Sequence, residues 1–204
     1  GTDASSMSIN SSSGVLAFNN APDYETKTSY SATVTASDGT NSAAQNITVN
    51  VTNLNDNTPS ITSNATFSAA ENQTAIGTVT ATDADGDTVT YSLSGTDASS
   101  MSINSSSGVL AFNSAPDYET KTNYTATVTA SDGTNSATQN ITVNVTNVND
   151  NTPSITSNAT FSAAENQTAI GTVTATDVDG DTLTYSLSGT DASSMSINSS
   201  SGVL

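Results

Sequence analysis

The 204-residue chain contains no cysteine, histidine or tryptophan, and its only basic side chains are Lys27 and Lys121. Without cysteine no disulfide can staple the fold. Zinc and copper lack their usual nitrogen and sulfur ligands, and neither a histidine base nor a thiol nucleophile is at hand for catalysis. Two cations against 19 acidic residues leave a formal net charge of −17. That charge excludes nucleic acid and anionic membrane as partners, because both need a positive surface. No apolar run of about 18 residues occurs, so no membrane insertion is predicted.

What is present is repetitive. Gly1-Thr2-Asp3-Ala4-Ser5-Ser6-Met7 returns 94 residues later at Gly95 and again at Gly189, and the same offset links Asn55 to Asn149. Only scattered positions differ between copies, such as Asn20 against Ser114, Ala84 against Val178 and Val89 against Leu183. A fixed period marks an array of like modules. The string Asn-Asp-Asn-Thr-Pro at Asn55 to Pro59 and at Asn149 to Pro153 marks the joints, since proline lacks a backbone donor and keeps the residue before it extended. On that reading residues 1–53 are the back half of one module, 58–148 a complete module, and 152–204 the front half of a third. Residues 189–204 duplicate residues 1–16, so the chain reads as a window from a longer array.

Within the central module the apolar period is two. Tyr124-Thr-Ala126-Thr-Val128-Thr-Ala130, Ile141-Thr-Val143-Asn-Val145 and Val89-Thr-Tyr91-Ser-Leu93 alternate apolar with hydroxylated or amide side chains. Val79 with Ala81, Met101 with Ile103, Leu110 with Phe112, and Ile61 with Phe67 supply four more strands. Seven short strands in about 90 residues, apolar on one face and hydroxylated on the other, predict an immunoglobulin-like sandwich. Helix is disfavoured, because β-branched residues crowd the chain and no apolar stripe recurs every three to four positions.

The acidic residues are not spread over the strand faces, where Thr and Ser stand instead. Apart from Asp3, Asp97 and Asp191 in the Gly-Thr-Asp loops, they fall in five motifs: Ala-Glu-Asn (Glu71), Asp-x-Asp-Gly-Asp (Asp83, Asp85, Asp87), Asp-Tyr-Glu (Asp117, Glu119), Ser-Asp-Gly (Asp132) and Asn-Asp-Asn (Asp150). Gathering like charges is costly, about 4 kcal/mol for two carboxylates about 4 Å apart at an effective dielectric near 20. Two lysines cannot offset that. A calcium ion can, since it takes six to eight oxygens from carboxylates, amide side chains and backbone carbonyls in flexible geometry. The loop beginning at Asp83 is not an EF-hand, because its sixth position lacks glycine and Ser94 occupies the place of the bidentate glutamate. Each motif also has a plainer reading: Asp85-Gly86 as a hairpin turn, Asn-Asp-Asn-Thr-Pro as a polar linker.

In this order the motifs resemble the calcium-binding set of cadherin repeats, and the bacterial cadherin-like modules in particular. The resemblance implies an all-β chain of tandem immunoglobulin-like, cadherin-type, seven-stranded Greek-key β-sandwiches with calcium at each joint. It assigns to the joint around Asn149 the ligands Glu71, Asp117, Glu119, Asn149, Asp150 and Asn151 with Asp177 and Asp179 of the next module. To the joint around Asn55 it assigns Asp23, Glu25, Asn55, Asp56 and Asn57 with Asp83, Asp85 and Asp132. The family linker often opens on aspartate, whereas Asn53 and Asn147 stand here. That departure implies a weaker middle ion. Asp87 and Asp181 are additional to the family set and either add a ligand or shape a turn.

The function expected from these features is a calcium-rigidified structural repeat of an extracellular stalk, adhesin or matrix filament on a bacterial surface, with neighbouring repeats as its first partners. The alternative is a module that grips polysaccharide or like chains. An enzyme is not expected, since an active site rarely recurs in near-identical tandem units. Asn-x-Thr strings such as Asn46-Ile-Thr48 arise freely in a chain this rich in Asn and Thr and are assigned no role.

Overall fold

Alternation of apolar and hydroxylated side chains is satisfied by strands that bury one face, and the structure, a computed structural model describing residues 1–204, is built of strands and three single 3₁₀ turns. The first part holds two hairpins. β1 (Met7–Ile9) pairs with β2 (Leu16–Phe18), and β3 (Ser29–Ser37) with β4 (Ser42–Asn50). Then come β5 (Ser60–Ile61), β6 (Thr66–Ala70), β7 (Ala75–Thr78), β8 (Ala81–Thr82), β9 (Thr90–Ser94), β10 (Met101–Ile103), β11 (Val109–Phe112), β12 (Asn123–Ser131) and β13 (Ser136–Thr146). The last part contributes the short pair β14 (Ser154–Ile155) and β15 (Ala175–Thr176).

Strands β5 to β13 make a sandwich. One sheet has the order β6-β13-β12-β9 and the other β10-β11-β7, so most neighbours in the sheets are not neighbours in sequence, the Greek-key arrangement. The expected seven strands appear as nine pieces. The first splits because it changes sheets: β5 pairs with β8, whereas β6 runs parallel to β13. The second is interrupted at Val79 and Thr80, between β7 and β8.

Residues from both sheets meet in one core cluster that includes Val79, Met101, Leu110, Phe112, Val128, Ile141 and Val143. Leu110, Ile141, Val79, Val128 and Val143 are fully buried, each worth about 1.5–3 kcal/mol relative to exposure. The outward positions of β12 and β13 are Thr, Ser and Asn, joined across the strands by bonds such as Thr127 Oγ1 to Asn140 Oδ1 at 2.8 Å.

The lysine of each repeat pairs with the aspartate of the Gly-Thr-Asp loop rather than with a carboxylate of the joints. Lys121 pairs with Asp97 and lies 4.5 Å from the centre of the Tyr124 ring, which meets Phe112 edge-on at 4.9 Å. Lys27, Asp3, Tyr30 and Phe18 repeat the arrangement. These contacts tie the 3₁₀ turn at Ala98–Ser100 to the start of β12.

The strand order decides where the acidic motifs go. Glu71 follows β6, Asp117 and Glu119 precede β12, and Asn147 to Asn151 follow β13, which gathers them at one end of the sandwich. The loop of Asp83 to Asp87 lies between β8 and β9, and Asp132 caps the β12–β13 hairpin, at the other end.

Candidate metal centre

At the joint around Asn149, ligand oxygens of Glu71, Glu119, Asp150 and Asp179 all lie within 4.8 Å of one another. Two of these residues come from the sandwich, one from the linker and one from the segment beyond it. At the joint around Asn55, Glu25, Asp56 and Asp85 meet within the same distance. Two further groups, Asp83 with Asp85 and Asp87, and Asp177 with Asp179 and Asp181, extend the clusters along their loops. The two additional aspartates, Asp87 and Asp181, therefore stand within reach of the joints.

Glu71 is the anchor of the second joint. It is 1% exposed, and both its oxygens are held by main-chain donors, Val148 N at 2.7 Å and Tyr118 N at 2.8 Å. These bonds tie the linker and the Asp-Tyr-Glu loop to the end of β6. Asn72, the next residue, adopts a left-handed φ of 62°, a region that asparagine tolerates better than most residues. It donates from Nδ2 to Asp150.

The linker grips the acidic loop of the following module. Asp179 Oδ2 accepts from Asp150 N at 3.1 Å and Asn151 N at 2.8 Å, and Oδ1 accepts from Asn151 Nδ2 at 2.9 Å. Asp85 receives the same bonds from Asp56 and Asn57 at 3.1, 2.8 and 2.9 Å. Hydrogen bonds from the Asn57 and Asn151 side chains are the main reason the Asp85 and Asp179 carboxyls sit below the usual carboxylate range. The glutamates move the other way. Burial, reinforced by the charges of Glu71 and Asp179, raises Glu119, and burial with Asp85 raises Glu25.

The other expected ligands stand beside the clusters. Asp23 and Asp117 fold onto their own turns, accepting from the hydroxyls of Thr26 at 2.9 Å and Thr120 at 2.8 Å. Asp132 Oδ1 accepts from Thr134 N and Asn135 N, both at 2.6 Å. Burial works against its charge, but these donors hold its carboxyl below the ordinary value. Asn55 Oδ1 accepts from Asn135 Nδ2 at 3.3 Å, and Asn135 also reaches Asn57 O at 3.2 Å. Asp83 Oδ1 accepts from Asp85 N at 3.0 Å, and Asp177 Oδ1 from Asp181 N at 3.3 Å. Asn149 is exposed and lies beside Asp177 in the wall of a groove.

Three carboxylate oxygens are shielded from solvent and meet no hydrogen-bond donor: Asp83 Oδ2, Glu119 Oε1 and Asp132 Oδ2. Buried polar atoms normally have partners, and all three belong to the expected ligand set. Every ligand atom offered at the joints is a carboxylate, amide or carbonyl oxygen, and the chain has no imidazole nitrogen or thiolate sulfur to add. That chemistry fits a hard cation of high coordination number. Asn135 takes part in the first joint without belonging to any of the acidic motifs, and Asn72, Asn53 and Asn147 enter the joints as hydrogen-bond donors, a part the sequence did not assign them. Asparagine is so common in the chain that nothing in the composition marks one as a donor.

Residues 65–146 match the cadherin domain family. Protocadherin Fat 1 of Homo sapiens is 36% identical over 170 residues, 75% of this chain, and protocadherin Fat 4 of Homo sapiens is 33% identical over 214 residues, 95% of this chain. The chain spans 4% of the length of these curated relatives. Among solved structures, mouse cadherin-23 EC22-24 is 30% identical with a TM-score of 0.72, covering 99% of this chain and 71% of that one. A protocadherin gammaB7 EC3-6 cis-dimer structure is 28% identical with a TM-score of 0.80, covering 97% of this chain and 55% of that one. These relatives lend no support to the bacterial source or the filament expected from the sequence, nor to polysaccharide, which belonged to the alternative reading.

Proposed function

This chain belongs to the cadherin domain family, and we propose that it is a stretch of tandem cadherin modules that acts outside the cell in adhesion between like chains, with calcium setting the stiffness of its joints. The proposed module boundaries are 1–53, 58–148 and 152–204. Likeness to a protocadherin structure described as a cis-dimer supports association between copies, and likeness to solved extracellular cadherin domains supports an extracellular location. No catalytic role is proposed.

The observation that carries the calcium reading is the meeting of Glu71, Glu119, Asp150 and Asp179 within 4.8 Å. Carboxylates from two sides of a linker repel each other unless a cation lies between them. Glu71, Glu119, Asp150, Asp177 and Asp179 would hold calcium at the second joint, and Glu25, Asp56, Asp83 and Asp85 at the first. Asp23, Asp117, Asp132, Asn55, Asn57, Asn149 and Asn151 stand beside these carboxylates as further oxygen donors. Bound calcium would supply positive charge that binds one module to the next and removes the freedom of the linker. The residues themselves pre-orient the site: Glu71 fixes the linker, while Asn57 and Asn151 aim Asp85 and Asp179.

A stalk that only spaces a tip from a surface needs the same joints, and bead aggregation separates the two readings. Beads coated with the chain should cluster in calcium and disperse on chelation. Beads that stay dispersed while the chain binds calcium would leave a stalk. Clustering that ignores chelation would contradict the part given to calcium.

A further inference from the structure

At the first linker position, where the family often has aspartate, asparagine is expected to leave a weaker ion site. The structure gives Asn53 and Asn147 a different part. Asn53 Nδ2 donates to the backbone carbonyl of Asp85 at 2.8 Å, and Asn147 Nδ2 donates to that of Asp179 at 2.8 Å. The same bond spans the same 32 residues at both joints, and an ionised aspartate could not make it, because a carboxylate only accepts. The bond ends on a main-chain carbonyl, so it takes up none of the acceptor capacity of the Asp85 and Asp179 carboxylates. It also spares a cluster that already holds four carboxylates, Glu71, Glu119, Asp150 and Asp179, a fifth negative charge.

We propose that Asn53 and Asn147 are positioning residues that latch the acidic loop of each following module, residues 83–87 and 177–181, to the linker in the absence of any ion. The latch orders the joint before a cation arrives, which lowers the ordering cost of binding. The latch needs no calcium; only its effect on affinity rests on the calcium reading of the joints. The amides that report on it are Asp150 N and Asn151 N, whose acceptor Asp179 Oδ2 is carried by the latched loop.

The test is amide hydrogen exchange of the full chain in EDTA, read by mass spectrometry, for the natural sequence, Asn147→Ala and Asn147→Asp. Leu54 in one linker and Val148 in the other distinguish peptides from the two joints, so the unaltered joint around Asn55 serves as the internal control. Both variants should exchange the Asp150 and Asn151 amides roughly threefold to tenfold faster, the range expected for loss of one hydrogen bond, with the first joint unchanged. In calcium, Asn147→Ala should bind the same number of ions more weakly. Unchanged exchange in both variants overturns the latch. So does an Asn147→Asp chain that binds an additional ion with unchanged exchange, which would make Asn147 simply a missing ligand. If the natural chain binds no calcium, the calcium reading fails, and exchange in EDTA still decides the latch.

Discussion

Asp97 is the acidic residue of the central repeat that stands away from both joints. Its carboxylate takes Lys121 and the Thr125 N–H, the latter at 2.8 Å, and the lysine bond is the main reason its carboxyl lies below the ordinary value of 3.8. A depressed carboxyl stabilises the fold above its unfolded pKa and loses that contribution as pH falls through the folded value. Asp97→Asn should therefore melt a few degrees below the natural chain at neutral pH, with the gap closing below about pH 4. Melting curves of both chains across pH 2.5 to 7, chosen to bracket the reference carboxylate range near about 4, check this. A gap that persists unchanged at the acid end would assign Asp97 no electrostatic part. This partnership was half legible in composition, since each repeat has one lysine and one aspartate outside the joint motifs. Asn53 and Asn147 show the limit: a missing carboxylate reads as weakness until the amide is seen to donate.

At the scale of elements, near-identical strings take different forms. Thr90–Ser94 is strand β9 because β12 lies alongside, pairing Leu93 with Val128 and Tyr91 with Ala130. Thr184–Ser188 repeats it with the single change of position, yet no strand lies beside it and it has no regular structure. Alternation thus reveals which face would be buried, while pairing depends on residues far away in sequence, as in the parallel contact of β6 with β13. The two pieces of the first strand were illegible for the same reason, since changing sheets is decided by the partners. The turn between β10 and β11 allows a controlled test. Gly108 has φ +69°, and a Cβ there would lie 2.1 Å from Val79 O, whereas the equivalent Gly14 has φ +71° and open space. Gly108→Ala should destabilise by roughly 2 kcal/mol or more, combining the left-handed penalty with the clash. Gly14→Ala should show the backbone part alone, about 1 kcal/mol. Urea unfolding of the two variants gives the difference, and equal losses would contradict the close approach of this turn to Val79.

For the whole molecule, the separation of surfaces is the main consequence of the sequence pattern. The sheet faces are hydroxylated and uncharged, and the carboxylates collect at the two ends of the sandwich, where one module meets the next. The motifs and their period made the joints legible, because charge density in a chain with two lysines is easy to see. The geometry within each joint was not, since Asp117 and Glu119 are two residues apart and only Glu119 enters the cluster. If calcium binds the ordered joint and not the loose one, it favours the ordered form by RT ln(1 + [Ca]/Kd), about 2.7 kcal/mol per site at a hundredfold excess. Calcium titration of the chelated chain by calorimetry tests this most directly. The account predicts uptake at both joints with a Kd of about 0.1–1 mM, and Asp179→Asn should abolish uptake at the second joint while sparing the first. No uptake by the natural chain at about 10 mM, well above the range of extracellular modules, would contradict it.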